Sequence, residues 1–162
     1  MHYVALTKLL ILLSFANGSP LIAKLVLGET FAMPIDGNVR FFDGRPLLGS
    51  SKTIRGVVVS LLVTALAAPL IGLQFKIGLL VAATAMAGDL LSSFLKRRFD
   101  LAPSTKATAL DQIPEALFPL IACRSALSLT AIDIATGCVI FFIGAVLFSR
   151  LFFRLGLRDR PY

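Results

Sequence analysis

Apolar residues form five long runs in this chain, and short polar segments separate them. A helix needs about 20 mainly apolar residues to cross the hydrocarbon core of a membrane, and each run is close to that length. We therefore predict an all-α, polytopic integral membrane protein with five transmembrane helices, forming a single membrane domain over residues 1–162. The predicted spans are residues 4–27, 57–73, 77–95, 110–129 and 134–153.

Composition agrees with lipid as the solvent. The chain is 57% hydrophobic, has a mean hydropathy of +0.87 and carries a net charge of +7. In a membrane protein such an excess of basic residues indicates cytoplasmic loops and anionic lipid headgroups, so we predict no nucleic-acid partner. The only histidine is His2, which excludes Ser-His-Asp catalysis and most zinc sites. Cys123 and Cys138 lie in apolar runs and are interpreted as packing residues.

Basic residues predict the orientation of the spans. Twelve of the 16 Lys and Arg residues lie in three segments, which an odd number of spans places on the same side of the membrane. By the positive-inside rule that side is cytoplasmic, with the N-terminus outside and the C-terminus inside. The twelve are Arg40, Arg45, Lys52 and Arg55; Lys96, Arg97, Arg98 and Lys106; and Arg150, Arg154, Arg158 and Arg160.

The first run is interrupted by Asn17-Gly18-Ser19-Pro20. In one interpretation Ser19 caps a second half-helix that begins at Pro20, and its N-terminus faces an anion. In the other, the helix is continuous and neighbouring groups repair a proline kink. The sequence leaves both open.

The third run contains a polar stripe. Asp89, Ser93, Lys96 and Arg97 stand at positions i, i+4, i+7 and i+8, which share one helix face. Helical rise places Asp89 about 10 Å below Lys96. A carboxylate below a basic rim suits Mg²⁺ and phosphates. Two other interpretations remain: Lys96-Arg97-Arg98 is a stop-transfer anchor, and Asp89 only pairs with a base on another helix.

Two more acids open the fourth run. Asp111 and Glu115 are four residues apart and share a face if one helix includes both, with Pro114 between them. Because proline is tolerated in a first turn, the helix could also begin near Pro114. With Asp89, these residues predict three carboxylates near the cytoplasmic side, which a divalent cation or nearby bases would neutralise.

The loop over residues 41–56 is rich in glycine, bases and hydroxyl groups. Only two residues separate Gly49 from Lys52, and no strand precedes them, so the loop does not match a Walker A motif. We weigh a different phosphate-handling loop against a solvated anchor. The chemistry-bearing residues are Lys52, Arg45 and Arg55, with Ser50, Ser51 and Thr53.

Together these motifs resemble the CDP-archaeol synthase family, which is related to the CDP-diacylglycerol synthases. The resemblance covers about residues 41–115. The chain departs from the family pattern at Ser50-Ser51, where an acid is common, and at Glu115, which stands one place later than the usual acid. Three blocks carry the resemblance: Phe42-Asp43-Gly44-Arg45 with Leu48-Gly49, Lys52-Thr53 and Arg55-Gly56; Gly88-Asp89 with Ser93-Phe94 and Lys96-Arg97-Arg98; and Asp111-Gln112.

The resemblance implies a Mg²⁺-dependent transfer from CTP to a lipid phosphate, giving a CDP-lipid and pyrophosphate. Asp89 and Asp111 would be metal carboxylates, with Glu115 as a third candidate ligand. Asp89, Lys96 and Asp111 would be the catalytic residues. The residues implied to bind nucleotide phosphates are Lys52, Thr53, Arg55, Ser93 and Arg97. We expect an ether-linked archaeal-type lipid as the first choice of acceptor and phosphatidic acid as the second.

Two other function classes stay open. One is a small cation-coupled transporter or channel subunit that uses Asp89, Asp111 and Glu115 to bind or relay a cation. The other is a non-catalytic membrane assembly protein. The outer halves of spans two and three hold almost no ionisable residues, which argues against a conducting path. We therefore expect a multi-pass cell-membrane enzyme whose active site faces the cytoplasm.

Overall fold

The computed structural model describes residues 2–101 and 108–154. Five helices account for most of this part of the chain: α1 Tyr3–Leu27, α2 Ile54–Leu70, α3 Phe75–Arg98, α4 Thr108–Ala122 and α5 Ala131–Arg154. The predicted all-α class is confirmed for these residues. Three helices, α1, α3 and residues Ala131–Leu151 of α5, are long and apolar enough to cross a membrane. The chain is accordingly a membrane protein.

Helix α2 begins at a side-chain cap, and the bounds of α4 differ from those of the predicted fourth span. The hydroxyl of Thr53 accepts a hydrogen bond from the Gly56 N–H at 3.1 Å, so it is the N-cap of α2. Helix α4 spans 15 residues and ends at Ala122, seven residues before the predicted end of the fourth span. It begins at Thr108, so one helix contains both Asp111 and Glu115, with Pro114 inside it.

The first apolar run forms one continuous helix, although Asn17-Gly18-Ser19-Pro20 interrupts its apolar sequence. Pro20 lies inside α1, where it has no N–H to donate to the carbonyl of Ala16. That carbonyl instead accepts a hydrogen bond from the buried Ser60 hydroxyl at 2.8 Å. The half-helix interpretation is therefore wrong, and a neighbouring helix repairs the proline position.

Small residues let the helices approach closely around an apolar core. Helix α3 packs between α2 and α4, and α1 lies across α2 and α3. At Gly78, a Cβ atom would lie 2.7 Å from the Cβ of Ala68, so only glycine allows this contact between α2 and α3. Buried side chains of α1 fill the centre: Leu6, Leu9, Leu12, Leu13 and Ala16. The outer face of α2 is an apolar stripe at every fourth residue: Ile54, Val58, Leu62, Leu66 and Leu70.

Candidate active site

Two lysine–carboxylate pairs lie where the first loop, which is the segment 28–53 between α1 and α2, meets α3 and α4. The Lys52 ammonium contacts both carboxylate oxygens of Asp89, at 2.5 and 2.6 Å. The Lys96 ammonium lies 2.7 Å from Oδ1 of Asp111. Both pairs are largely shielded from solvent, since the four side chains are between 11% and 27% exposed. Desolvated opposite charges at this separation attract one another much more strongly than a surface pair does.

A close crossing of α3 and α4 assembles these groups. A Cβ atom at Gly88 would lie 2.6 Å from the carbonyl carbon of Pro114 and 2.8 Å from the amide nitrogen of Glu115. Glycine is thus required where the two backbones meet. The Ser92 hydroxyl donates to the Gly88 carbonyl at 2.8 Å and lies 3.3 Å from the Asp111 carbonyl, which links the helices at the same level.

Glu115 joins the two pairs into one cluster. Its carboxyl group contacts that of Asp89 and lies within electrostatic range of Lys52 and Asp111. We call these five residues, Lys52, Asp89, Lys96, Asp111 and Glu115, the carboxylate–lysine cluster. The three acids thus interact within one cluster with lysines from the first loop and from α3, and their convergence on a metal ion stays a prediction.

The acids of the cluster do not form a ready-made metal centre. Within residues 2–101 and 108–154, no three His, Cys, Asp or Glu side chains converge in a geometry that would hold a metal ion. Asp89 does pair with a base, as one interpretation expected, but that base comes from the first loop and not from another helix. The assignment of Asp89, Asp111 and Glu115 as metal ligands stays a prediction.

The basic triplet at the end of α3 makes specific contacts. Buried Arg97 donates from Nε to the Leu48 carbonyl at 3.4 Å and from Nη1 to the Leu101 carbonyl at 2.6 Å. Arg98 contacts the Asp43 carboxylate at 2.5 Å and lies over the ring of Phe41. A plain stop-transfer anchor does not account for such partners.

The three other residues predicted to bind phosphate differ in their contacts. Ser93 is buried on α3, on the face that carries Lys96 and Arg97. The Thr53 hydroxyl is engaged as the cap of α2. Arg55 donates to the carbonyls of Gly28 and Thr30, which ties the start of α2 to the turn after α1. The contacts of Thr53 and Arg55 are thus structural ones, and a direct role in binding phosphate stays a prediction for both.

Asp36 organises the first loop, although no motif in the sequence marked it as a candidate residue. Its carboxylate accepts hydrogen bonds from the backbone N–H groups of Leu48, Gly49 and Asn38 at 2.8, 3.1 and 3.0 Å. Burial acts to raise the pKa of Asp36, but these three bonds outweigh it and hold the pKa below its ordinary value. The Asp36-Gly37 step is a turn signal that could have drawn attention to this residue.

A cavity at the start of α1 lies away from the cluster. It has a volume of about 500 Å³ and is lined by His2, Tyr3, Val4, Ala5, Lys8 and Leu73. No member of the carboxylate–lysine cluster lines it. Side-chain chemistry therefore identifies the candidate site.

Comparison with known proteins agrees with the motifs. The CarS-like CDP-archaeol synthase family matches residues 3–162. The CDP-archaeol synthase of Pyrococcus furiosus is 41% identical over 108 residues, which are 60% of this chain and 61% of that protein. The Sulfurisphaera tokodaii CDP-archaeol synthase is 33% identical over 153 residues, or 91% of this chain and 89% of that one. The match to the Hyperthermus butylicus relative spans 59% of its length.

A solved structure shares the fold as well. It is an intramembrane enzyme for archaeal membrane lipid biosynthesis, 27% identical in sequence, and it superimposes with a TM-score of 0.70 over 85% of this chain and 90% of its own. The predicted family resemblance is confirmed. The chain belongs to the CarS-like CDP-archaeol synthase family.

Proposed function

We propose that this protein is a membrane CTP:lipid-phosphate cytidylyltransferase that forms a CDP-activated glycerolipid and pyrophosphate. The observation that carries the proposal is the carboxylate–lysine cluster, in which two ammonium groups lie against acids at the junction of the first loop, α3 and α4. Family membership favours this reaction over the transporter and assembly-protein alternatives. The acceptor is an ether-linked archaeal-type lipid phosphate, with phosphatidic acid as the second candidate.

The cluster has the donor chemistry that Mg²⁺ prefers. Asp89, Asp111 and Glu115 offer hard carboxylate oxygens and would hold the ion. When bound, Mg²⁺ would neutralise negative charge on the phosphates of CTP. The two lysines of the cluster already pair with two of these acids, Lys52 with Asp89 and Lys96 with Asp111.

The lysines supply the remaining positive charge. Lys52 and Lys96 carry flexible ammonium groups that exchange their carboxylate partners for phosphate oxygens when nucleotide arrives. Arg97 and Ser93 lie on the same face of α3 and bind the nucleotide phosphates beside them. Thr53 and Arg55 support the loop that presents Lys52, through the cap of α2 and the turn after α1.

The reaction then needs positioning more than proton transfer. An oxygen of the lipid phosphate forms a bond to the α-phosphorus of CTP, and the bond from that phosphorus to the oxygen bridging the β-phosphate breaks. Pyrophosphate leaves with the bonding electrons. Because the acceptor is already an anion, no strong general base is required. Lys96 stabilises the charge that develops on the leaving group, while Lys52 and Arg97 hold the nucleotide phosphates.

We further propose that all five helices span the cell membrane, with the N-terminus outside and the cluster at the cytoplasmic face. Helix α2 has 17 residues and α4 has 15, so each is about 23–26 Å long at helical rise. These are shorter than the roughly 30 Å hydrocarbon core. Lys52 and Asp111 lie near the ends of these short helices, so this end of the cluster is close to the depth of a lipid phosphate while CTP enters from the cytoplasm.

Cysteine labelling tests this topology. In a background without Cys123 and Cys138, single cysteines replace Ser51 and Lys76, which are both exposed and flank α2 and α3 on opposite ends of the bundle. We expect a membrane-impermeant reagent to label position 51 only from the cytoplasmic side and position 76 only from outside. The reverse pattern, or labelling of both from one side, contradicts the proposed orientation.

The activity is tested by transfer of label from α-labelled CTP into the organic phase, using purified protein in detergent or lipid. We expect Mg²⁺-dependent transfer to a phosphorylated dialkylglycerol, and less to phosphatidic acid. CTP binding without transfer to either lipid indicates a different acceptor. No nucleotide binding, with cation flux through reconstituted vesicles, supports the transporter instead.

A further inference from the structure

We propose that Asp36 is a positioning residue of this site: its carboxylate fixes the Leu48–Gly49 turn so that Lys52 reaches Asp89. The inference deepens the proposed function and rests on it for the role of Lys52 toward CTP. Asp36 itself lies outside the carboxylate–lysine cluster, in the first loop, and is 9% exposed.

Both carboxylate oxygens of Asp36 accept hydrogen bonds from the loop. Oδ2 accepts from Leu48 and Gly49 at 2.8 and 3.1 Å, and Oδ1 accepts from Asn38 at 3.0 Å. Three backbone N–H groups that converge in this way form a cradle for an anion. Here the anion is the protein's own side chain, and it joins two parts of the loop that are 12 residues apart.

The same turn holds the backbone of Lys52 on both sides. The Gly49 carbonyl accepts the Lys52 N–H at 3.2 Å, and the Lys52 carbonyl accepts the N–H of Ile35, next to Asp36, at 2.9 Å. The Lys52 backbone is thus held by Gly49, which binds Asp36, and by Ile35, which precedes Asp36 in the chain. The Lys52 side chain then reaches Asp89, with Nζ 2.5 Å from Oδ1 of that carboxylate.

The turn also sets the position of Arg97. Gly49 has a positive φ of 96°, and a Cβ atom there would lie 3.4 Å from Nε of Arg97. The Leu48 carbonyl accepts a hydrogen bond from the same nitrogen. One turn, fixed by one carboxylate, therefore places two of the basic groups that we propose to act on nucleotide phosphates.

The decisive variant is Asp36→Asn, with Asp100→Asn as its matched control. Asparagine keeps the shape of the side chain, but its amide NH₂ faces an N–H donor, so at least one charge-assisted bond is lost. We expect the KM for CTP to rise about tenfold with little change in kcat, as the loss of one such bond predicts. The Asp100 side chain is 81% exposed and lies 3.6 Å from Arg45, so the Asp100→Asn variant should behave as wild type.

A double-mutant cycle separates positioning from general support of the fold. If Asp36 acts through Lys52, Asp36→Asn should raise the KM for CTP by less than about twofold in a Lys52→Gln background. Equal fold-changes in both backgrounds, or a fall in kcat with an unchanged KM, would overturn the inference. Gly49→Ala disturbs the same turn while the Asp36 side chain is retained, and it should also raise the KM. An unchanged KM in that variant counts against the inference even if Asp36→Asn does not fold.

The same cycle in ligand-free protein tells this inference apart from the proposed function. The Tm of Asp36→Asn, Lys52→Gln and the double variant is measured without CTP or metal. If the double variant lowers the Tm by less than the sum of the two single variants, Asp36 is coupled to the Lys52–Asp89 pair, whatever the protein's substrate is. Additive Tm shifts overturn the positioning role, whereas coupling without any use of CTP leaves it standing and refutes only the proposed reaction.

Discussion

The ammonium of Lys52 lies against both carboxylate oxygens of Asp89, 37 residues further along the chain. This contact joins the first loop to the middle helix of the bundle at the level of Glu115. It also means that, without ligand, the central acid of the site is neutralised by a side chain of the protein itself. Four testable consequences follow from this arrangement and its surroundings.

Asp89→Asn should abolish cytidylyl transfer while the protein still inserts and folds. The amide removes the charge that pairs with Lys52 and that we propose to hold Mg²⁺, so we expect a loss of at least about 100-fold in kcat/KM. The assay is label transfer from α-labelled CTP, with size-exclusion behaviour and Tm as measures of folding. Asp100→Asn is the matched control, and near-normal activity of Asp89→Asn at ordinary Mg²⁺ would rule out the metal-ligand assignment.

Lys52→Gln should make the fold dependent on a divalent cation. Removing the ammonium leaves Asp89 and Glu115 as neighbouring acids without this partner. Breaking a shielded ion pair from one side costs about 3–5 kcal/mol, so we expect a clear fall in Tm in chelator and a recovery with Mg²⁺. Wild type should respond to Mg²⁺ much less, and an equal response of both proteins would contradict the proposal that Lys52 and the cation compete for the same acids.

Gly88→Ala should destabilise the protein and impair activity, whereas Gly18→Ala should do neither. A methyl group at position 88 collides with the backbone at Pro114 and Glu115, which would push α4 away from α3. Overpacking of this kind costs about 1–3 kcal/mol. Nothing lies within 4 Å of a Cβ at Gly18, which is also helical, so alanine there should be neutral or slightly stabilising. Thermal unfolding measures both, and similar Tm values for the two variants would contradict the close crossing.

Asp36 should contribute stability that disappears in acid. Its pKa is lower in the folded protein than its ordinary value of 3.8, so folding favours the charged form. That contribution is fully present above the unfolded pKa and is lost as the pH falls through the folded pKa. The Tm difference between wild type and Asp36→Asn should therefore be constant near neutral pH and shrink below about pH 4. A difference that persists at lower pH, while both proteins still fold, would show that the charge of Asp36 is not what matters.

The sequence alone determined the helical class, the family and much of the candidate site. Apolar runs of membrane-spanning length restrict the backbone to helices, because lipid offers no partners for free N–H and C=O groups. Helical spacing likewise placed Asp89, Ser93, Lys96 and Arg97 on one face, and the motif order identified the family that the comparisons confirm. These features depend on local periodicity and on residue types in order, which a sequence displays directly.

Only the tertiary structure decided which charges meet. That Lys52 pairs with Asp89, that Lys96 pairs with Asp111, and that Ser60 repairs the proline position in α1 all depend on contacts between distant segments. Asp36 was missed for the same reason, since its role depends on hydrogen bonds from backbone N–H groups 12 and 13 residues away. Even the end of α4 at Ala122 differed from the apolar run. Hydrophobic periodicity predicts which groups leave water, but the partner of a buried charge is set by how close two backbones come, as at Gly88 and Pro114.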